Sequence, residues 1–226
     1  MRLSESRGSL ATWALVLMLF DHLAYLAEPF LPLWLGLLLR VPGRFSMPAF
    51  AFMTGRASAE LDIDRLKHYT RRLLLLAMVS EAPYWLLFHE HVNAVFALWL
   101  GAQVVLEWRR ARAVGHLFDG WSAPLLLGGC YTFILLGSPG EVLYSVLVVF
   151  LAIAGWEGLM GAAGAALLVN WPSSLAYGLA TLGMLALVLW GQLPTLPTLP
   201  QRFRYAFYPV HLLLLAVAFL SWRVLA

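Results

Sequence analysis

Two adjacent polar residues in an apolar run are the first candidates for chemistry. The run ATWALVLMLFDHLAYLAE at 11–28 is long enough to enter a bilayer and carries Asp21 and His22 near its middle. A charged side chain at that depth costs about 2.5–3.5 kcal/mol on insertion scales, so it needs a partner or a task. Neighbouring residues of a helix project about 100° apart, so these two cannot pair with each other. Either Asp21 pairs with an arginine and His22 binds a carbonyl, or both serve a site.

A second group of polar residues lies in the last apolar run. Arg204, Tyr208 and His211 follow one another at spacings of four and three, which places them on one stripe of a helix. Packing alone does not explain such a stripe, whereas histidine transfers protons and arginine binds anions. We therefore predict a site built from both ends of the chain, which requires the first helix to lie beside the last.

Five further polar residues are candidates, and most have an ordinary structural explanation. Arg44 precedes an apolar segment and is either an interfacial anchor or part of a buried anion site. Glu81 and Tyr84 are three residues apart and share a helix face. Asn93 begins the next predicted helix, where it could equally be an N-cap. Tyr144 lies early in a later helix, and a tyrosine of the interfacial belt is the alternative.

Membrane helices must position these residues. The 226 residues are 62% hydrophobic and 12% charged, against about 25% charged in soluble domains. We predict an all-α polytopic integral membrane protein with about eight or nine transmembrane helices in one bundle, a single domain over 1–226. The segment 29–43 is too short to span a bilayer and is predicted to be interfacial or re-entrant. The segment 141–170 is predicted to be either two short helices or one irregular unit. The other helices are predicted at about 9–28, 43–61, 70–88, 93–107, 119–136, 173–191 and 205–223.

The basic residues fall in short segments between the apolar runs. The strongest cluster lies at 56–72 and a second at 107–116, and such clusters mark cytoplasmic loops. With both inside, we expect the N-terminus to be cytoplasmic as well. No basic tract interleaved with aromatic residues suggests nucleic-acid binding. The single cysteine, Cys130, excludes an intrachain disulfide and a multi-cysteine metal site.

Several short motifs in this order resemble one known family. They are ALVLMLFDH at 14–22, GRFSMPAFAF at 43–52, Arg71 after the basic segment, the N-x-x-F of Asn93 and Phe96, the Tyr144 region, and AFYPVHLLLL at 206–215. Together they resemble the TraX family, the F-pilin acetylases of conjugation systems, which are distantly related to membrane acyltransferases that modify glycans. Around Tyr144 the chain reads L-Y-S, where the resemblance predicts a Tyr-Gly pair.

The resemblance implies acetyl transfer from acetyl-CoA to the N-terminal amine of a pilin, in a bacterial inner membrane and without a metal. A terminal ammonium, with a pKa of about 7.7–8.0, must lose a proton before it attacks a thioester, and histidine is a suitable base. By resemblance His22 is that base, His211 is the rival base or a covalent acetyl carrier, and Asp21 orients a second group or holds the ammonium. By the same resemblance, five residues contact the oxyanion or the substrate: Tyr208, Asn93, Tyr144, Glu81 and Tyr84. Three arginines bind the phosphates of CoA: Arg44, Arg71 and Arg204.

Two other functions fit the same residues. The first keeps acetyl transfer but uses a sugar or lipid headgroup as the acceptor. The second is a transporter or a pilus-assembly protein without catalysis. Transporters often have duplicated halves and paired broken helices, whereas only the segment 29–48 reads as interrupted here. An assembly protein needs no buried arginine, histidine and aspartate, so acetyl transfer is the favoured hypothesis.

Overall fold

The computed structural model describes residues 3–114, 145, 148, 149, 183 and 194–225. Within these residues the chain is helical and contains no strand, as the sequence predicts. Two of the described helices are long and apolar enough to cross a membrane, over Gly8–Phe30 and Gln201–Trp222. The helices predicted between 115 and 193 fall almost entirely outside the described residues, so the count of eight or nine crossings and the single domain stay predictions. The α-helices described in full are α1 Leu3–Ala27, α2 Leu33–Gly43, α3 Ser46–Glu60, α4 Ile63–Phe88, α5 Ala94–Val114 and α6 Gln201–Leu225.

Helices α1 and α6 run parallel, side by side. Near the start of α1, Thr12 donates a hydrogen bond to a carbonyl of the segment that precedes α6. In the middle, His22 contacts His211. At the far ends the rings of Phe30 and Trp222 meet edge to face, with centroids 5.1 Å apart.

Helix α4 runs in the same direction as α1 and α6, and α5 returns beside it. Tyr69, in the second turn of α4, contacts the C-terminal half of α3. Phe88, the last residue of α4, packs on His22 with ring centroids 5.2 Å apart. Arg109, near the end of α5, donates to two carbonyls at the end of α3. The starts of α1, α4 and α6 therefore share one side with the ends of α3 and α5.

We call that side the basic face, and the opposite side, where α1, α4 and α6 end, the far face. Arginine and lysine side chains gather on the basic face. Such an accumulation is typical of the cytoplasmic side of a membrane protein. The residues concerned are Arg56, Arg65, Lys67, Arg71, Arg72, Arg109, Arg110, Arg112, Arg202 and Arg204.

The basic segment before residue 70 is helical, which corrects the predicted start of that helix. Helix α4 begins at Ile63 because Asp62 caps it, its Oδ1 accepting a hydrogen bond of 2.8 Å from the backbone N–H of Arg65. The first turns are polar and the apolar run LLLLAMV follows them. Likewise α5 continues to Val114 and α6 begins at Gln201. The sequence misplaced these ends because charged turns outside the apolar run still propagate a helix.

Two short helices, rather than one span, connect α1 to α4. Helix α2 has 11 residues and α3 has 15, and each is shorter than the roughly 20 residues that a crossing needs. A turn at Arg44 and Phe45 separates them. Leu33, Trp34 and Leu38 of α2 are exposed, as expected for the interfacial or re-entrant piece that the prolines of this segment predict.

Candidate active site

Two histidines from opposite ends of the chain form the centre of the site. His22 of α1 and His211 of α6 are joined by a hydrogen bond of 2.8 Å between Nδ1 of His22 and Nε2 of His211. Their ring planes differ by 6° and their centroids lie 5.0 Å apart, which places the rings edge to edge rather than face to face. The parallel packing of α1 on α6 brings the two imidazoles to the same depth.

The backbone carbonyl of Phe207 sets the protonation of this pair. It lies 2.8 Å from Nδ1 of His211, and because a carbonyl oxygen only accepts, that Nδ1 carries the hydrogen. In neutral His211 the other nitrogen, Nε2, is therefore an acceptor, and Nδ1 of His22 must donate to it. Neutral His22 then keeps its lone pair on Nε2. The chain of two hydrogen bonds leaves one basic nitrogen, Nε2 of His22.

Aromatic rings surround the histidine pair. The ring of Phe207 lies nearly parallel to His211 with centroids 4.9 Å apart, and Tyr208 meets the same imidazole edge-on at 5.6 Å. Phe88 covers His22 from α4. His211 is only 5% exposed. A hydrogen bond in such a water-poor environment is stronger than in water, so the pair has a fixed orientation.

A cluster of charges occupies the neighbouring face of α1. Asp21 and Glu28 are seven residues apart, so their carboxylates lie on the same face. Arg40 of α2 bridges them, with Nη1 at 3.2 Å from Oε2 of Glu28 and Nε at 3.6 Å from Oδ1 of Asp21. Its guanidinium also lies 5.2 Å from the ring centre of Tyr25. The charge of Arg44 acts on Asp21 as well, so two cations compensate two carboxylates.

A glycine allows α2 to reach this cluster. A Cβ placed on Gly43 would overlap the Cα and Cβ of Asp21. Two turns earlier, a Cβ on Gly36 would make ordinary van der Waals contacts with Glu28, at 3.4 Å to Cγ and 3.9 Å to Cα. The end of α2 therefore touches the backbone of α1 at Asp21, and this contact brings Arg40 beside the carboxylates.

A cavity of about 310 Å³ lies between the basic face and the histidine pair, and side chains of α1, α3, α4, α5 and α6 line it. At its inner end are Leu15 and Met18 of α1 and Tyr208 of α6. All three are buried. Met18 lies four residues before His22 and Tyr208 three before His211, so the cavity ends within about one helical turn of the pair.

Polar residues form the outer end of this cavity. Arg56 of α3 and Gln201, Arg204 and Tyr205 of α6 line it there, on the basic face. Between the two ends the lining is mostly apolar. The arrangement suits an elongated ligand with an anionic head and a thinner uncharged arm.

A family model described as TraX protein matches residues 6–218. The chain belongs to the TraX family. The matched range includes both helices that carry the histidine pair, and the two candidate spanning helices agree with a membrane protein. No curated protein and no solved structure matches the chain.

In this TraX-family bundle, the predicted catalytic residues converge from both ends of the chain. His22, His211 and Tyr208 meet, and α1 lies beside the last helix, as predicted. Asp21 faces α2 and pairs with Arg40. The expectation that the adjacent aspartate and histidine have different partners is thus confirmed. The chemical role of each residue stays a prediction.

Glu81 and Asn93 contact each other at the start of α5, and the substrate or oxyanion role expected for each stays a prediction. The Asn93 amide donates both of its hydrogens, at 2.8 Å to the carbonyl of Ala77 and at 2.9 Å to Glu81. Its Oδ1 accepts from the N–H of Val95, as an N-cap does. Glu81 also accepts the backbone N–H groups of Val92 and Asn93. The pair therefore closes the loop between α4 and α5.

The three arginines predicted to bind CoA phosphates lie at different places in the bundle, and their role stays a prediction. Arg204 lines the cavity. Arg71 is exposed on α4 and is not part of the cavity wall. Arg44 belongs to the charge cluster around Asp21. Spacing along the chain could not separate them, because three different helix ends carry them.

The remaining two predicted residues lie apart from the histidine pair or outside the described part. Tyr84 donates to Oε2 of Glu90 at 3.2 Å and packs against Phe88, so it belongs to the far end of α4. Tyr144 lies outside the described residues.

Sequence reasoning missed Arg40, Arg56, Gly43 and the carbonyl of Phe207. One signal for Arg40 was available: Asp21 and Glu28 share a helix face, and the segment after them contains this arginine. The role of a backbone carbonyl has no sequence signal.

Proposed function

We propose that this protein is a membrane-embedded acetyltransferase that moves an acetyl group from acetyl-CoA to the N-terminal amine of a pilin. The observation that carries the proposal is the hydrogen bond between His22 and His211, oriented by the Phe207 carbonyl so that Nε2 of His22 is basic. Membership of the TraX family supports the acceptor class.

The ammonium first loses one proton to the surrounding water, and a second proton must then be moved at the attacking nitrogen. The neutral amine attacks the thioester carbonyl, and Nε2 of His22 takes the proton that the nitrogen loses as the N–C bond forms. The C–S bond then breaks, and the proton passes to the sulfur of CoA. General base catalysis of this kind contributes about 10²–10⁴-fold. Tyr208, whose ring adjoins His211, is assigned to stabilise the oxyanion.

His211 acts through His22 rather than as a base or an acetyl carrier. Its Nδ1 donates to the Phe207 carbonyl and its Nε2 accepts from His22. Neither nitrogen has a lone pair left for a proton of the substrate or for an acetyl group while both hydrogen bonds are in place.

The charge cluster favours an amine over a sugar hydroxyl as the acceptor. Asp21 and Glu28 share one bridging cation, Arg40, and the 3.6 Å contact with Asp21 leaves its Oδ1 without a hydrogen bond. An incoming ammonium provides the same charge as the guanidinium and compact N–H donors. Arg40 and Arg44 already balance the charge of the two carboxylates, so the preference rests on the open Oδ1 of Asp21, to which an ammonium donates a stronger, charge-assisted hydrogen bond than a hydroxyl does.

The two faces of the bundle suit the two substrates. Arginines on the basic face support a cytoplasmic orientation, and acetyl-CoA is cytosolic. The charge cluster lies in the half of α1 nearer the far face, from which a pilin inserted in the membrane presents its amine. We accordingly propose multi-pass insertion in a bacterial inner membrane with a cytoplasmic N-terminus.

The test is acetyl transfer by the purified protein in lipid nanodiscs. The acceptor is an apolar peptide with a free N-terminal amine, compared with the same peptide carrying a blocked amine and a single serine hydroxyl. Intact mass should show one acetyl group on the free amine only. His22→Asn keeps an N–H donor near the position of Nδ1 but removes the base, so its rate should fall by about 10²–10⁴-fold.

The control is His68→Asn, which changes an exposed histidine of the basic face and should leave the rate unchanged. Acetylation of the serine peptide at the higher rate would favour the sugar or lipid headgroup as acceptor. Full activity of His22→Asn would exclude His22 as the base.

A further inference from the structure

We infer, on the basis of the proposed acetyltransferase function, that the donor binds in two adjoining parts. The 310 Å³ cavity receives the pantetheine arm and its acetyl group, and a separate groove on the basic face receives the phosphates of the nucleotide. We thereby assign donor-binding roles to Arg72 and Arg202, which the sequence did not single out.

The groove adjoins the cavity at the start of α6. It has a volume of about 600 Å³ and is more open than the cavity. Arg72 of α4 and Arg202 of α6 line it, and both side chains are exposed. Leu76, Gln201 and Tyr205 line the groove and the cavity alike, so a ligand passes from one to the other at these three residues.

The sizes of the two spaces indicate which part of the donor each one holds. A cavity of 310 Å³ is at the lower limit of sites for small organic ligands and is too small for a whole coenzyme A. The uncharged arm fits its apolar middle, whereas phosphates require cations and water. Arginine is suited to phosphate because its planar guanidinium donates two parallel hydrogen bonds. The nucleotide therefore remains at the basic face.

The inner end of the cavity limits the length of the acyl group that can bind. Leu15, Met18 and Tyr208 close it, and each is at most 8% exposed. The thioester must lie at this end to come near His22. A longer acyl chain would have to displace buried side chains of α1 or α6, so the site selects short acyl groups.

The experiment compares acetyl-CoA with acetyl-pantetheine, which lacks the nucleotide and its phosphates. Binding to the protein in nanodiscs is measured by thermal shift and by titration. Arg72→Glu with Arg202→Glu should weaken acetyl-CoA binding by about ten- to a hundredfold and leave acetyl-pantetheine binding unchanged. The control is Arg65→Glu, an equal change of charge per residue at an exposed arginine that lines neither space.

Filling the cavity should weaken the binding of acetyl-CoA and of acetyl-pantetheine alike. Leu73→Trp places an indole in the apolar middle, and Ala57→Trp does so nearer the outer end. Each should weaken the binding of both compounds at least tenfold, and the unliganded melting temperature identifies which variant is folded. Met18→Ala should raise the rate with butyryl-CoA relative to acetyl-CoA.

The outcomes separate this inference from the proposed function. If wild-type protein acetylates the peptide while both tryptophan variants bind acetyl-CoA normally, the donor does not bind in this cavity. The acetyltransferase function would then be retained. If wild-type protein binds the donor in this cavity but transfers nothing, the function is wrong and the binding site stands. A phospholipid that co-purifies in the cavity and is not displaced by acetyl-CoA would overturn the donor assignment.

Discussion

At the scale of single residues, the protonation of His22 depends on an atom that belongs to the backbone of another helix. The Phe207 carbonyl holds the hydrogen of His211 on Nδ1, and His211 in turn holds the hydrogen of His22 on Nδ1. This order resembles that of catalytic triads, in which a third group orients the base. Here a neutral histidine takes the place of the usual carboxylate.

Two substitutions at His211 distinguish an orienting residue from a base. His211→Gln retains a side-chain oxygen that can accept from His22 Nδ1, so the acetylation rate should fall by less than about tenfold. His211→Leu removes the acceptor and should cost about ten- to a hundredfold. The rates are measured at saturating acetyl-CoA by intact mass of the peptide. Equal inactivation of both variants would instead make His211 itself the base.

The need for partners was predictable from the sequence, but their identity was not. An aspartate and a histidine in an apolar run must be compensated, and their adjacency excludes mutual pairing. His22 and His211, however, are 189 residues apart, and no local rule relates residues at that separation. The stripe of Tyr208 and His211 predicted which face of the last helix is buried. Both side chains are buried in the structure.

At the scale of helices, α1 presents two functional faces to two neighbours. His22 faces α6, while Asp21 and Glu28 face α2. The contact at Gly43 determines how closely α2 approaches. The sequence predicted α2 as a short interfacial or re-entrant piece, but it could not predict this contact, because a glycine between a proline and an arginine reads equally well as a helix end.

Alanine at Gly43 should separate α2 from α1. The added Cβ meets backbone and Cβ atoms of Asp21, which cannot move aside as a flexible side chain can. Overpacking of this kind costs about 1–3 kcal/mol, so we expect a lower melting temperature and a reduced acetylation rate. Gly36→Ala is the matched control in the same helix, where the Cβ has room and should be neutral or stabilising. Equal melting temperatures for the two variants would contradict the close contact.

Glu81 should contribute to stability rather than to chemistry. It accepts the N–H groups of Val92 and Asn93, and Val92 has a positive φ of 66°, which is unfavourable for a β-branched residue. Glu81→Ala leaves three buried donor hydrogens unpaired, those of the two backbone groups and one of the Asn93 amide, at about 1–3 kcal/mol each. The melting temperature should fall while kcat and KM of the folded protein stay unchanged. Loss of kcat at an unchanged melting temperature would instead indicate that Glu81 acts in catalysis.

At the scale of the whole molecule, the parallel course of α1, α4 and α6 separates two environments. Their starts meet at the basic face with the cavity mouth, and their ends meet at the far face near the charge cluster. The histidine pair lies between these two regions. The sequence predicted the cytoplasmic side from its basic clusters, whereas the cavity arises only when five helices converge.

Cysteine labelling in intact cells tests this topology. In a Cys130→Ser background, Ala59→Cys lies at the exposed end of α3 on the basic face and His91→Cys on the loop after α4. An impermeant maleimide should label position 91 in intact cells and position 59 only after permeabilisation. Because α1 and α6 are parallel, a tag at residue 1 should also lie on the side opposite to a tag after residue 226. Labelling of both cysteines from outside would contradict the assignment.

The central claim is that His22 and His211 form one catalytic unit from the two ends of the chain. A double-mutant cycle tests it most directly, with acetylation rates of wild type, His22→Asn, His211→Leu and the double variant. Residues that act as a unit are not additive, so the double variant should be no slower than His22→Asn alone. If the two losses multiply, the histidines act independently and the account is wrong.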